Sequence, residues 1–141
     1  MRRALNLADL QSAHDSGKPT IVQTVEGAMF IEGNLDRVGE VYQRGLRHLQ
    51  LLHMRDDMVA PLGDLNTDPP HLGGLTAFGA DVVKECNRLG ILVDMAHAAH
   101  ETVLGALKGR YAAAHHFSYQ PRYLPRHERP DGPDDEASAD L

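Results

Sequence analysis

The sequence predicts an α/β fold built on a parallel sheet. Three observations carry this. Helical and extended segments alternate along the whole chain. The extended segments are short and mostly apolar, as strands covered by helices are. Four of them end on a residue able to bind a metal or move a proton, and in parallel folds such ends converge on one rim.

In chain order, Ala4 to Ser16 reads as a helix with Leu5, Leu7 and Leu10 as its apolar positions, stopped by Gly17 and Pro19. Thr20 to Val25, TIVQTV, reads as a strand and runs into Glu26-Gly27. Asn34 is placed to cap a helix from Leu35 to Arg44, with Leu35, Val38, Val41 and Tyr42 on one face and Gly45 at its end. Arg47 to Leu52, RHLQLL, is the next strand and ends on His53. Residues 54–74 make a long connection rich in Pro and Gly, and loops of that length are usually functional or disordered.

The best-specified unit follows. Thr76 is the expected N-cap of a helix whose Phe78, Val82, Val83, Cys86 and Leu89 recur at helical spacing. Asp81 lies early and Arg88 late, as the helix dipole prefers, and Gly90 is the expected left-handed C-terminal residue. Ile91 to Met95 reads as a strand buried on both faces, closed by Asp94 and His97. A helix with Val103, Leu104 and Leu107 facing inward comes next. Tyr111 to Ala114 is a last strand, ending on His115-His116.

The 141 residues are one domain's worth of chain. We divide them into a folded part, 1–127, and an acidic tail, 128–141, expected to be disordered. The net charge of −6 comes largely from that tail, and no basic stripe points to nucleic acid. No apolar run is long enough to span a membrane. Asn6, Asp9 and Gln11 interrupt any secretory signal after Met1-Arg2-Arg3. Cys86 is the single cysteine, which fits a reducing, cytoplasmic compartment and reads as a small core residue. Nine histidines direct attention to a metal site.

The candidate site residues are those strand ends: Glu26, His53, His97, and His115 or His116. A lone strand-end histidine is more often hydrogen-bonded structure. Four ends in register with this chemistry favour a site, and Glu with His suits zinc. Spacing alone does not name the reaction.

Two segments add a resemblance. VEGAMFIEGNLDRVGEVYQRGLRHLQLLH and GGLTAFGADVVKECNRLGILVDMAH are similar to segments of the membrane (renal) dipeptidase family. In the second, about twenty consecutive positions agree with the family's signature in type and order. LGDLNTD and PPHLGGLT resemble a loop of its bacterial branch, and the likeness runs from Thr20 to Arg129. The resemblance implies a (β/α)8 barrel that uses zinc-activated water to cleave dipeptides, some with a D-residue at the second position. By the same resemblance Glu26 bridges two zinc ions, His97 and His116 (or His115) bind the second, and His53 steadies the substrate carbonyl or tetrahedral intermediate. Arg122 lies where the family holds an arginine for the substrate carboxylate, which a guanidinium fork suits.

The chain departs from the family in two places. No His here is followed two residues later by Asp, the pair that serves the first zinc, and the later strand carrying the family's further Asp has no counterpart. About four βα units are present, against roughly 250 residues for a full barrel. The expectation is therefore a partial barrel with at most one well-formed zinc site, weak or inactive alone. Its open edges are expected to drive self-association or pairing with a complementary barrel half. Two other readings stand beside this one. One is a non-catalytic half barrel that binds a metal or a partner chain. The other is a different metal-dependent hydrolase of the amidohydrolase type, which would not call for the GLTxFG signature.

Overall fold

In the computed structural model, which describes residues 2–53, 60–67 and 69–108, the run read as one strand from Thr20 is two short ones. β1 (Arg2–Arg3) precedes α1 (Leu7–Asp15) and pairs in parallel with β2 (Thr20–Ile21). Val22 interrupts the run. β3 (Gln23–Glu26) then pairs in parallel with β4 (Leu46–Gln50), and β4 with β5 (Leu92–Asp94). α2 (Asp36–Gln43) lies between β3 and β4, α3 (Ala77–Leu89) between β4 and β5, and α4 (His100–Lys108) follows β5. Parallel strands adjacent in chain order, with helices between them, are the βα repeat from which a (β/α)8 barrel is laid down. The strand expected at Tyr111 to Ala114 and the acidic tail lie outside the described residues.

The pleat sorts the side chains. Val25, Leu49 and Val93 are register partners and share one face of the sheet. They pack with Val38 of α2 and with Val82, Val83 and Cys86 of α3, which form the core. One residue along, Glu26, Gln50 and Asp94 are register partners on the opposite face. Apolar residues thus anchor the sheet to its helices, and polar ones occupy the side where a barrel has its interior.

Both expected ends of α3 form. Thr76 Oγ1 accepts the Gly79 N–H at 2.9 Å. Gly90 takes φ +75, and the Ile91 N–H reaches back to the Cys86 carbonyl at 2.8 Å, closing a Schellman turn. The Thr76 hydroxyl also donates to the Pro61 carbonyl at 2.7 Å. Thr76→Ala removes both bonds, and we expect it to destabilise the chain by about 1–2 kcal/mol, read from urea midpoints. Cys86 is fully buried, and burial, helped by the Glu85 charge, pushes its thiol up to about 12. It is the inert core residue expected.

Two helices differ from expectation. α1 starts at Leu7 behind an Asn6 cap and buries no residue; Leu7 is 79 % exposed. Its leucines have no apolar partner layer among the described residues. α4 turns Thr102, Val103 and Ala106 inward and leaves Leu107 52 % exposed. The reason is local. Gly105 lies against Leu75, where a Cβ would sit 2.7 Å from the Leu75 Cβ, so the helix docks through its small residues. No helix among the described residues is long and apolar enough to cross a membrane.

Candidate metal centre

The register row Glu26–Gln50–Asp94 explains how the candidate side chains meet. Glu26 is the last residue of β3. His53 and His97 each lie three residues beyond their register partners, on adjacent strands. Gly27, at φ +84, turns the chain away after Glu26. Its position requires glycine twice over, since a Cβ there would lie 3.0 Å from the Cβ of His53. After β5, Asp94 Oδ1 accepts the Ala96 N–H at 2.8 Å and starts a tight turn. The turn puts His97 in the left-handed region, at φ +66. A non-glycine residue held there stores about 1–2 kcal/mol of strain, a feature concentrated at functional sites.

His53 Nε2 lies 3.2 Å from Glu26 Oε1, and His97 Nε2 lies 3.9 Å from the same oxygen. The two imidazoles face each other with ring centroids 5.2 Å apart. One ligand atom from each of the three residues falls within 4.8 Å of the others. Donors about 2.0–2.1 Å from a tetrahedral zinc stand about 3.3 Å from one another, so the observed spacings bracket what an ion needs. The Glu26 carboxylate and the His97 imidazole are also the right donor chemistry, with the His53 imidazole beside them. Glu26 remains 60 % exposed and the histidines partly so, which leaves an approach from solvent.

The connection before α3 is ordered around one buried side chain. Asp64, 1 % exposed, accepts the N–H groups of His71 at 2.9 Å and Leu72 at 2.8 Å on Oδ1, and that of Gly74 at 2.7 Å on Oδ2. Burial by itself raises its pKa. The three N–H donors and the nearby His71 outweigh that, and the net shift is downward from 3.8. The native chain thus binds this proton more weakly than the unfolded chain. The resulting stability is complete above about pH 4 and is lost as pH falls through the lowered native value. We expect thermal midpoints to drop below pH 4, and Asp64→Asn to remove that component of the drop.

The structure thus brings together Glu26, His53 and His97. His115, His116 and Arg122 lie outside the described residues. Sequence reasoning passed over Asp64 and His48. Asp64 stands between Gly63 and the Gly73-Gly74 pair, and an aspartate among glycines is the available signal for a loop organised by its carboxylate. His48 Nε2 lies 3.3 Å from Asp94 Oδ2, behind the turn that carries His97. Its place mid-strand gave no signal.

The sequence matches the membrane dipeptidase family over residues 1–129. An uncharacterized dipeptidase of Schizosaccharomyces pombe is 34% identical over 116 residues, which is 82% of this chain and 28% of that protein. An amidohydrolase from Pseudomonas aeruginosa superposes with a TM-score of 0.68 at 25% identity, over 76% of this chain and 31% of its own. A metallopeptidase from Rhodobacter sphaeroides, solved with a phosphinate mimic of the dipeptide L-Ala-D-Ala, gives 0.63 at 26% identity, over 75% and 31%. The chain spans under a third of the length of these relatives.

Proposed function

Because the chain belongs to the membrane dipeptidase family, we propose that it carries part of the zinc centre of a dipeptide-cleaving hydrolase. Glu26 and His97 are the metal ligands, and His53 is the residue that steadies the substrate carbonyl. The observation that carries this reading is the convergence of the three side chains within 4.8 Å at neighbouring strand ends. Zinc, when bound, supplies the Lewis acidity that polarises a carbonyl and lowers the pKa of water. The residues of the chain position the reactants. Glu26 offers two carboxylate oxygens, enough to serve two ions. His97 offers Nε2 from a turn held rigid on both sides. His53 points Nε2 at the same carboxylate, so an N–H there can hold an oxygen of the scissile group beside the metal. Such a donor is worth about 10²–10³ in turnover. His116, or else His115, is the further imidazole ligand, and Arg122 holds the substrate carboxylate. The dipeptide mimic bound by the Rhodobacter sphaeroides relative supports a dipeptide substrate with a D-residue at the second position.

The His-x-Asp pair of the family is absent from the sequence, so we propose one well-formed zinc site and little turnover by this chain alone. Exposed Leu7, Ile21, Val22 and Leu107 support pairing with a second copy or a complementary barrel half. The test is zinc per chain at neutral pH, with hydrolysis of L-Ala-D-Ala assayed on the same sample. We expect about one zinc and little hydrolysis, with the zinc retained in His53→Ala. Two zinc ions with turnover would overturn the single-site reading and mean that residues other than a His-x-Asp pair complete the first site. Absence of zinc overturns the metal centre.

A further inference from the structure

The buried carboxylate of Asp64 and the histidine at position 97 belong to different loops, yet the backbone ties them into one assembly. The Asp64 carbonyl accepts the Ala99 N–H at 2.9 Å and the Thr102 hydroxyl at 2.9 Å. Leu65 forms an antiparallel bridge with Ala98. The Asn66 N–H donates to the His97 carbonyl at 2.8 Å. Residues 64–66 therefore grip the turn at His97, Ala98 and Ala99 in succession. The carboxylate of Asp64 in turn fixes residues 64–66, by closing the loop onto the N–H groups of His71, Leu72 and Gly74.

We propose that Asp64 is a positioning residue for the metal centre: its carboxylate locks a backbone strap that holds His97 in the left-handed conformation from which its imidazole faces Glu26. This deepens the zinc-site reading and rests on it. The physical need is clear. At φ +66 His97 is in a conformation that relaxes unless neighbouring bonds over-determine it. The turn's own bonds, from Asp94 to Ala96 and from Ala98 N–H to the Met95 carbonyl at 3.1 Å, act within the turn. The strap adds restraint from outside it. A buried carboxylate with three N–H donors is well suited to the task, because removing its acceptor capacity leaves three donors unpaired, that of Gly74 in a buried place.

Asp64→Asn keeps the shape and replaces one acceptor oxygen with an NH2 that faces an N–H. The expected result is a zinc affinity at least tenfold weaker by chelator competition, the size usual for residues that orient a ligand. The Asn66 and Ala99 amides should exchange with deuterium at least tenfold faster in the same zinc-free variant. Val83→Ala, on the core-facing side of α3, serves as the comparison: it lowers thermal stability but leaves zinc affinity and those two amides unchanged relative to the rest of the chain. A second measurement needs no variant. By reciprocity of linkage, zinc added to the unsubstituted chain should slow exchange of the His71, Leu72 and Gly74 amides more than that of α1. Asp64→Asn with unchanged zinc affinity, or those amides indifferent to zinc, overturns the positioning role while leaving the zinc site standing. An unsubstituted chain that binds no zinc overturns both.

Discussion

His97→Gly and His97→Ala should both lose zinc affinity by more than about a hundredfold, yet the glycine variant should be the more stable of the two by about 0.5–1 kcal/mol. The first part follows from deleting a ligand, which costs more than the 10–100-fold seen when a residue that merely orients a ligand is removed. The second part isolates the backbone. Both variants delete the imidazole, including its contact with His53, so they differ only by a Cβ. In a helix or strand that Cβ would favour alanine by about 0.5–1 kcal/mol through the unfolded state. At φ +66 the sign reverses, because a left-handed residue with a Cβ is strained by about 1–2 kcal/mol. Urea denaturation of the two zinc-free variants measures the difference, and chelator competition measures the metal. An alanine variant equal to or more stable than the glycine variant would contradict the left-handed turn. Zinc affinity preserved in both would contradict His97 as a ligand.

How much of this was legible in the sequence depends on whether a residue acts locally or across the chain. α3 was readable to its ends, because Thr76, the Phe78–Leu89 stripe and Gly90 each act within a few residues of their own position. The strand ends were readable for a similar reason: once the strands are parallel and neighbouring, register carries Glu26, Gln50 and Asp94 to one rim, and His53 and His97 follow three residues later. The apolar faces of α1 and α4 were misjudged because period identifies a stripe but not what covers it. Leu7 has no covering layer among the described residues, and Leu107 is turned outward by the contact of Gly105 in α4 with Leu75. The strap itself was hidden. Its bonds join Asp64 to residues seven to ten positions later, and its carbonyl to Thr102, 38 positions later. No periodicity reports contacts of that kind, and a loop rich in Pro and Gly offers few apolar positions to read.

Two glycine-to-alanine substitutions in helices should have opposite signs, and the larger effect tests whether the strap is seated as described. Gly39 lies inside α2, and a Cβ placed there would meet nothing within 4 Å, so Gly39→Ala should stabilise the chain by about 0.5–1 kcal/mol through helix propensity alone. Gly79 lies in the first turn of α3, where a Cβ would sit 2.0 Å from the Leu62 carbonyl oxygen and 2.9 Å from the Leu75 Cδ1. That oxygen cannot retreat without cost, since it already accepts the Thr76 N–H at 3.0 Å. Relief requires α3 to slide or Leu62, two residues before the strap, to lift, and lifting breaks the bonds around Thr76. Overpacking by a methyl group usually costs about 1–3 kcal/mol, and a clash against fixed backbone belongs at or above the top of that range. We therefore expect Gly79→Ala to lose about 3 kcal/mol or more, a large share of the roughly 5–15 kcal/mol that holds a domain together. Because Leu62 leads directly into the strap that grips the turn of His97, zinc affinity of the folded fraction should fall with it. A Gly79→Ala chain as stable as Gly39→Ala would mean that the segment leading into the strap does not rest on α3, and the support inferred for His97 would have to come from elsewhere.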